Sequence, residues 1–302
     1  MATDVKSAPE VLRALEGRGY DASGLSPIGV RPPLGTYLRE LWGRRHFIWM
    51  DSRHRQNTKN ARTRLGNAWL VLQPLCNAAI YYVIFGLIIT GARGGIENYA
   101  AFVVIGILMF QSTMRSVSTG PGIIRGGASM IRAFSFPRAA VPLSAELKDA
   151  LQMRFTLPVA LFMIMVIPPN EMPGLAWLLV IPIFVLQTIL NMGITFLMAR
   201  LGFELPDLTQ IMSVVSRLLM YGSGVIFPID RLLESSSVPA IIPFLVEINP
   251  IFHMLKLYRA ALMDNTSAPL SSWLIFGGWA IGLLVIGFLV FWQGEAKYGD
   301  DR

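Results

Sequence analysis

The chain has 302 residues, 53% of them hydrophobic and only 15% charged, whereas a soluble domain carries about 25% charged residues. Its mean hydropathy is +0.52, and several runs approach the ~20 apolar residues that cross a bilayer, so soluble, disordered and collagen-like classes are excluded. The net charge of +7 is then read by its distribution along the chain and not as an affinity for nucleic acid, and the single Cys76 allows no intrachain disulfide.

Residues 1–30 lack the charged start and apolar core of a signal peptide and are expected to form a mobile cytoplasmic tail. Residues 31–64 change character. Leu34, Tyr37, Leu38, Leu41, Trp42, Ile48 and Trp49 recur at helical spacing after Pro32 and Pro33, which start a helix well. Arg39, Glu40, Arg44 and His46 fall elsewhere on the wheel. A basic, aromatic-studded amphipathic helix beside a first span is expected either to lie in the membrane interface or to pack on the protein's own cytoplasmic face.

Residues 65–294 hold the spans. Uncharged runs cover Asn67–Ala92, Asn98–Met114, Phe155–Asn170, Met172–Ala199, Leu208–Ile229 (broken only by Arg217) and Asn265–Gly294. The fold class expected is an all-α integral membrane protein with six transmembrane helices, the second and third borrowing flanking turns. Between the fifth and sixth spans, Asp230–Asp264 is apolar in patches but broken by Pro239, Pro243 and Pro250; it is expected to form short re-entrant helices, sheltered by protein or a water-filled cavity. Residues 295–302 form a second tail. With the N-terminus inside, 21 of the 26 Lys and Arg lie in inner segments and four, Arg93, Arg231, Lys256 and Arg259, in outer ones. Both termini are therefore expected on the cytoplasmic side of the plasma (inner) membrane.

Several chemistries are missing. No G-x-x-x-x-G-K-[ST] loop is present to cradle a nucleotide, and His46, His54 and His253 are scattered, so neither a resident cofactor nor a metal is expected. No Asp or Glu falls in a predicted span, which weakens an ion-coupled carrier. No internal repeat is visible, which gives an inverted-repeat carrier no support. Glu204, Asp207 and Glu247 are isolated in sequence, a poor set for an intramembrane enzyme. Arg217, alone inside a span, should face protein or water. It either lines a path or is a buried structural group. Among the aromatics Tyr81, Tyr82, Phe85, Phe102, Phe110 and Tyr221, most are expected to pack, while those facing a pore would suit sugars. Gly278 and Gly282 form a G-x-x-x-G step that would admit a close helix, and Gly222-Ser223-Gly224 marks a bend.

Four features then occur in order: Leu65-Gly66, Trp69, Leu72 and Pro74-Leu75 entering the first span; Phe136-Pro137-Arg138 with Pro142-Leu143 after the second; Asn249-Pro250-Ile251-Phe252-His253; and Arg259. Over roughly residues 34–300 the chain resembles the permease subunits of type-2 ABC exporters that move polysaccharides, the O-antigen and teichoic-acid exporter family. It departs from that pattern at Pro206-Asp207-Leu208, where an Arg-Asp pair is usual, and at Ser223-Gly224, where Ser-Pro is usual.

The resemblance implies a homodimer working with two copies of a separate ABC ATPase, which would carry the ATP and magnesium. It implies a docking helix around Met130, Ile131, Arg132, Phe134, Phe136, Pro137 and Arg138, and a smaller contact at Leu205 and Asp207. The substrate would be a glycan on polyprenyl pyrophosphate, recruited by Arg44, Arg45, Arg62 or Arg64 and passed beside Tyr81, Tyr82, Phe110, Arg217 and Tyr221. The Trp42 to Trp49 stretch resembles exporters of actinobacteria, whose cargo is often galactan. The alternatives are a type-2 ABC exporter of a drug or lipid and, in another class, a membrane-embedded transferase.

Overall fold

The computed structural model describes residues 32–58, 63–88, 96–133, 136–168, 172–229, 239 and 241–299. The expected tail 1–30 lies outside them. All regular structure among the described residues is helical.

Two short helices come first, α1 (Leu34–Gly43) and α2 (Arg45–Thr58). Pro33 precedes α1 in extended backbone, as a proline ahead of a helix start requires. Tyr37 and Leu41 of α1 are buried, and so are Ile48, Ser52 and Gln56 of α2, a stripe at four-residue spacing. That stripe packs on α7 (Ala140–Val166), where the Ser52 hydroxyl is shared between the carbonyls of Ile48 (2.6 Å) and Ser144 (3.0 Å). Leu38, Trp42, Trp49 and Met50 stay exposed on another side. The helices therefore do pack on the protein's own face, and they keep an aromatic face free.

The first membrane segment runs Gly66–Ile88. It comprises a 3-10 turn, α3 (Trp69–Tyr82) and a wider π-helical end, Val83–Ile88. Next come α4 (Tyr99–Thr119), a 3-10 turn Gly120–Gly122, and the short α5 (Ile123–Gly126) and α6 (Ala128–Ala133). After α7 stand α8 (Val180–Glu204) and α9 (Leu208–Gly222), then α10 (Ile241–Ile248), α11 (Pro250–Leu262) and α12 (Leu270–Gln293). Among the described residues, five segments are long and apolar enough to cross a membrane, and six if α10 and α11, bent by 66°, are taken together.

Helix α4 is the centre of the bundle. Nearly all of its membrane window is buried, because α3, α7, α8, α9 and α11 all pack on it. Deeper in, side chains satisfy one another: Gln187 donates to Met109 O (3.0 Å) and Thr113 Oγ1 (3.1 Å) and accepts from Tyr258 Oη (2.7 Å). A buried amide and phenol are affordable only when paired in this way.

Three sequence expectations change here. The third span is not Phe155–Asn170 but a helix beginning at Ala140, and it carries Glu146 inside the bundle. Two hydroxyls make this possible, Ser116 Oγ and Thr195 Oγ1, each donating to Glu146 Oε2 at 2.8 Å. An acidic group is therefore buried on the helix of the third span, ahead of its apolar stretch. The fifth span is helical only to Gly222; its 15 residues extend about 22 Å, less than the ~30 Å hydrocarbon core. The close glycine contact falls elsewhere too. A Cβ on Gly278 or Gly282 would meet nothing, whereas one on Gly193 of α8 or Gly287 of α12 would strike the facing backbone.

The bend after α9 is where sequence and structure agree. Gly224 takes φ +69°, a left-handed conformation that costs glycine little. The carbonyls it turns inward meet Arg259, whose Nη1 donates to Gly224 O (2.8 Å) and whose Nη2 donates to Val225 O (2.9 Å) and Phe102 O (3.2 Å). The guanidinium lies 3.3 Å from the Phe102 ring centroid. Asn249 caps α11 by accepting from Ile251 N (2.9 Å) and donates to Ser223 Oγ (2.8 Å), and Tyr99 donates to Ile226 O (3.0 Å). Non-helical backbone at this depth is thus paired by side chains, as an apolar surround demands.

Candidate docking end and polar stripes

The end of the bundle where α8 and α12 finish has its own apolar core, including Tyr37, Leu41, Ile124, Ile131, Val141, Phe196 and Phe291. Glu295, just past α12, sits at its edge and is 5% exposed. Tyr37 donates to its Oε2 (2.7 Å) and the Arg138 amide to its Oε1 (2.8 Å), while the Arg138 guanidinium donates to the Glu295 carbonyl. The Ala139 amide in turn donates to Tyr37 Oη (3.0 Å). Burial pushes the Glu295 carboxyl above the usual carboxylate range, and the Arg138 amide and Tyr37 hydroxyl pull it partly back. The Tyr37 phenol is raised by burial first and by the Glu295 charge second.

This cluster decides what the residues of the expected docking helix can touch. Ile131 and Pro137 are buried, the Phe136 ring lies tilted 5.6 Å from that of Phe47, and Arg138 is held by Glu295. Met130 is half-buried, and Leu205 and Asp207 are exposed on the turn between α8 and α9. Phe134 and the Arg132 side chain lie outside the described residues. The turns that precede each expected docking segment are in contact. Arg125 donates to Gly202 O (3.0 Å), and Gly202 lies so close to the Pro121 backbone that a Cβ could not fit.

The path candidates divide. Arg44 and Arg64 are exposed near the same end. Arg45 stays beside Trp42, donating to its carbonyl (3.3 Å) with the guanidinium 5.6 Å from the ring. Arg62 lies outside the described residues. Phe110 is 5% exposed and belongs to the core. Tyr82 helps line a 260 Å³ cavity with Glu97 and Tyr99. Tyr81, Arg217 and Tyr221 lie elsewhere, on helices that flank α4.

Those flanking helices are α3 and α9. On α3, Gln73, Asn77 and Tyr81 recur every four residues; on α9, the exposed Gln210, Ser213, Arg217 and Tyr221 share one side. The buried α4 is least buried at Gln111, Arg115 and Ser118, one helical stripe. Gln111 Nε2 donates to Tyr81 Oη (3.4 Å), joining two of the stripes. Three neighbouring membrane helices thus each carry a polar stripe. Arg115 escaped the sequence reading because the uncharged run stops at Met114, so the residue was counted as loop charge. The four-residue recurrence from Gln111 was the signal available.

Long apolar helices around a buried central one, three of them carrying polar stripes, define an integral membrane protein. The chain belongs to the ABC-2 type transporter family, whose sequence pattern matches residues 53–263. It is similar to an O-antigen export system permease protein RfbA of Klebsiella pneumoniae, 29% identical over 238 residues covering 78% of this chain and 87% of that protein. It is also similar to RfbA of Myxococcus xanthus, 22% identical over 230 residues covering 76% and 84%.

Proposed function

We propose that this chain is the permease subunit of an ATP-driven exporter that moves a polysaccharide, carried on polyprenyl pyrophosphate, from the cytoplasmic to the outer side of the plasma membrane. The observation that carries this reading is the set of polar groups on three neighbouring membrane helices, Tyr81, Gln111, Arg115 and Arg217, which an exporter of apolar drugs or lipids would not need. Two copies of the chain would enclose these groups, because a guanidinium facing lipid costs about 2.5–3.5 kcal/mol on insertion scales. Two ABC ATPase subunits, holding ATP and magnesium, would dock at Met130–Arg138 and Leu205–Asp207, with both termini cytoplasmic. The exposed Leu38, Trp42 and Trp49 face would sit among membrane lipids, and Arg44, Arg45 and Arg64 would gather the pyrophosphate. The cargo proposed is galactan.

Depletion of the protein, followed by extraction and sidedness analysis of lipid-linked glycans, tests the reading. Long glycan-polyprenyl pyrophosphate building up on the cytoplasmic leaflet is the expected result, and its sugar composition identifies the cargo. A normal lipid-linked glycan pool would instead favour the drug or lipid exporter.

A further inference from the structure

A cavity of 470 Å³ lies where α4 begins, α11 finishes and α12 starts. The 24 residues of α12 separate it from Glu295 by about 36 Å, so it belongs to the other end of the bundle. Part of its lining is apolar, with Ile96, Ala260, Met263 and Ala268. Lys256 and Arg259, one turn apart on α11, give it a positive side, the ammonium 5.7 Å from the Phe252 ring and the guanidinium 3.3 Å from that of Phe102. The loop after α11 contributes Asp264, Thr266 and Ser267. That loop folds back on the helix it leaves: the Asp264 amide donates to Arg259 O (3.4 Å) and the Thr266 amide to Ala260 O (2.9 Å). Asn265 between them takes φ +50°, a left-handed conformation in which asparagine is enriched. The turn places both neighbours of Asn265 in the cavity lining. Ser267 Oγ accepts from Trp273 Nε1 (3.4 Å), whereas the Asp264 and Thr266 side chains make no hydrogen bond or ion pair with any described residue. Burial raises the Asp264 carboxyl above its ordinary value.

The mixture of charges decides what fits. A cationic ligand is opposed by Lys256 and Arg259, and an anionic one meets Asp264 as a like charge. A neutral ligand rich in hydroxyls meets neither objection. A carboxylate accepts only, while a threonine hydroxyl donates and accepts, and adjacent hydroxyls of a sugar ring do both at once. The C–H face of such a ring suits the apolar part of the lining, and the volume falls in the range of small-molecule sites, about 300–1,000 Å³. We propose that this cavity is a carbohydrate subsite that holds a short stretch of neutral glycan, with Asp264 and Thr266 binding its hydroxyls. That the cavity faces the outer side, and so receives glycan as it emerges, rests on the exporter reading above. The sugar site itself rests on the cavity and its two unpartnered side chains.

The test is titration of the full-length protein in phosphatidylglycerol nanodiscs with a short galactan oligosaccharide and with maltopentaose, followed by saturation-transfer NMR and calorimetry. A parallel set of nanodiscs contains phosphatidylethanolamine, whose paired ammonium and phosphate is the lipid chemistry that meets both signs of charge. At least one oligosaccharide is expected to bind, with no displacement by phosphatidylethanolamine. Asp264→Asn is expected to weaken binding about ten- to a hundredfold, the loss of a charged hydrogen bond, and Thr266→Val about two- to tenfold, the loss of a neutral one. Both positions are exposed on a loop; melting curves identify a variant that has unfolded, and the other then carries the comparison. Binding of neither oligosaccharide by the parent protein, or equal binding by the folded variants, overturns the subsite. Displacement of the sugar by phosphatidylethanolamine also overturns it and gives the cavity to lipid headgroups. Any of these results leaves the exporter standing if depletion still strands glycan on the inner leaflet. A normal lipid-linked glycan pool with intact, Asp264-dependent sugar binding removes the exporter and keeps the subsite.

Discussion

Tyr37 Oη donates a 2.7 Å hydrogen bond to Glu295 Oε2, joining the start of the amphipathic region to the residue that follows the last membrane helix. The same carboxylate takes the Arg138 amide, so three segments far apart in sequence close on one group. Tyr37→Phe removes the donor to a buried carboxylate and is expected to cost about 1.5–3 kcal/mol. Thermal melting in detergent measures it. An unchanged melting temperature would mean that the phenol is decorative.

Acidity should act through the same carboxylate. Burial raises the Glu295 group above its unfolded value, so the folded protein holds more protons than the unfolded chain between those two values, and stability falls as pH rises through that window. The contribution is complete below the ordinary Glu range and lost above the raised value. Melting temperatures between about pH 4 and pH 8 are expected to decline more steeply for the parent than for Glu295→Gln; parallel curves would refute the assignment.

Glu146 calls for a different pair of substitutions. Glu146→Gln keeps an acceptor for Ser116 and Thr195 and is expected to lower stability by about 1 kcal/mol or less, whereas Glu146→Ala strands both hydroxyls beside a void and is expected to cost about 2–5 kcal/mol. Chemical denaturation of the two variants side by side distinguishes these cases.

Glycine scanning along α8 and α12 discriminates between two contact surfaces. Gly193→Leu or Gly287→Leu is expected to abolish assembly of the folded protein, since neither backbone has room for a side chain. Gly278→Leu and Gly282→Leu are expected to be accommodated in the isolated protomer, judged by yield and size-exclusion profile.

Replacing Arg259 should loosen the bend after α9. Arg259→Lys keeps the charge but cannot span the Gly224, Val225 and Phe102 carbonyls together. Faster hydrogen exchange confined to residues 223–229 is expected, with the amides of α4 unchanged.

Much of this architecture was legible beforehand because bilayer crossing imposes a long apolar run, and runs are local. Helices α8 and α12, the bend at Gly224 and the broken segment around Pro250 all announce themselves in consecutive residues. What hid was non-local. Glu146 looks like loop charge until Ser116 and Thr195 are brought beside it, and Gly193 with Gly287 carries no spacing motif because the partners sit on different helices. Arg115 was lost to a boundary drawn at the first charge, although the helix continues through it. For the expected docking residues, sequence supplied the segments but not their orientation: the inward burial of Ile131 and Pro137 depends on Tyr37 and Glu295, which lie at opposite ends of the chain.

The backbone contact between Gly193 and Gly287 has a mechanical corollary. Two helices locked at that point cannot slide past one another, so α8 and α12 move as a single strut. One end of that strut carries the Leu205–Asp207 turn and the Glu295 anchorage side by side, with Phe203 and Tyr298 ring to ring at 5.2 Å. If the proposed ATPase contact falls on this turn, a push there would reach Tyr37 and the amphipathic helices through the same pair of helices.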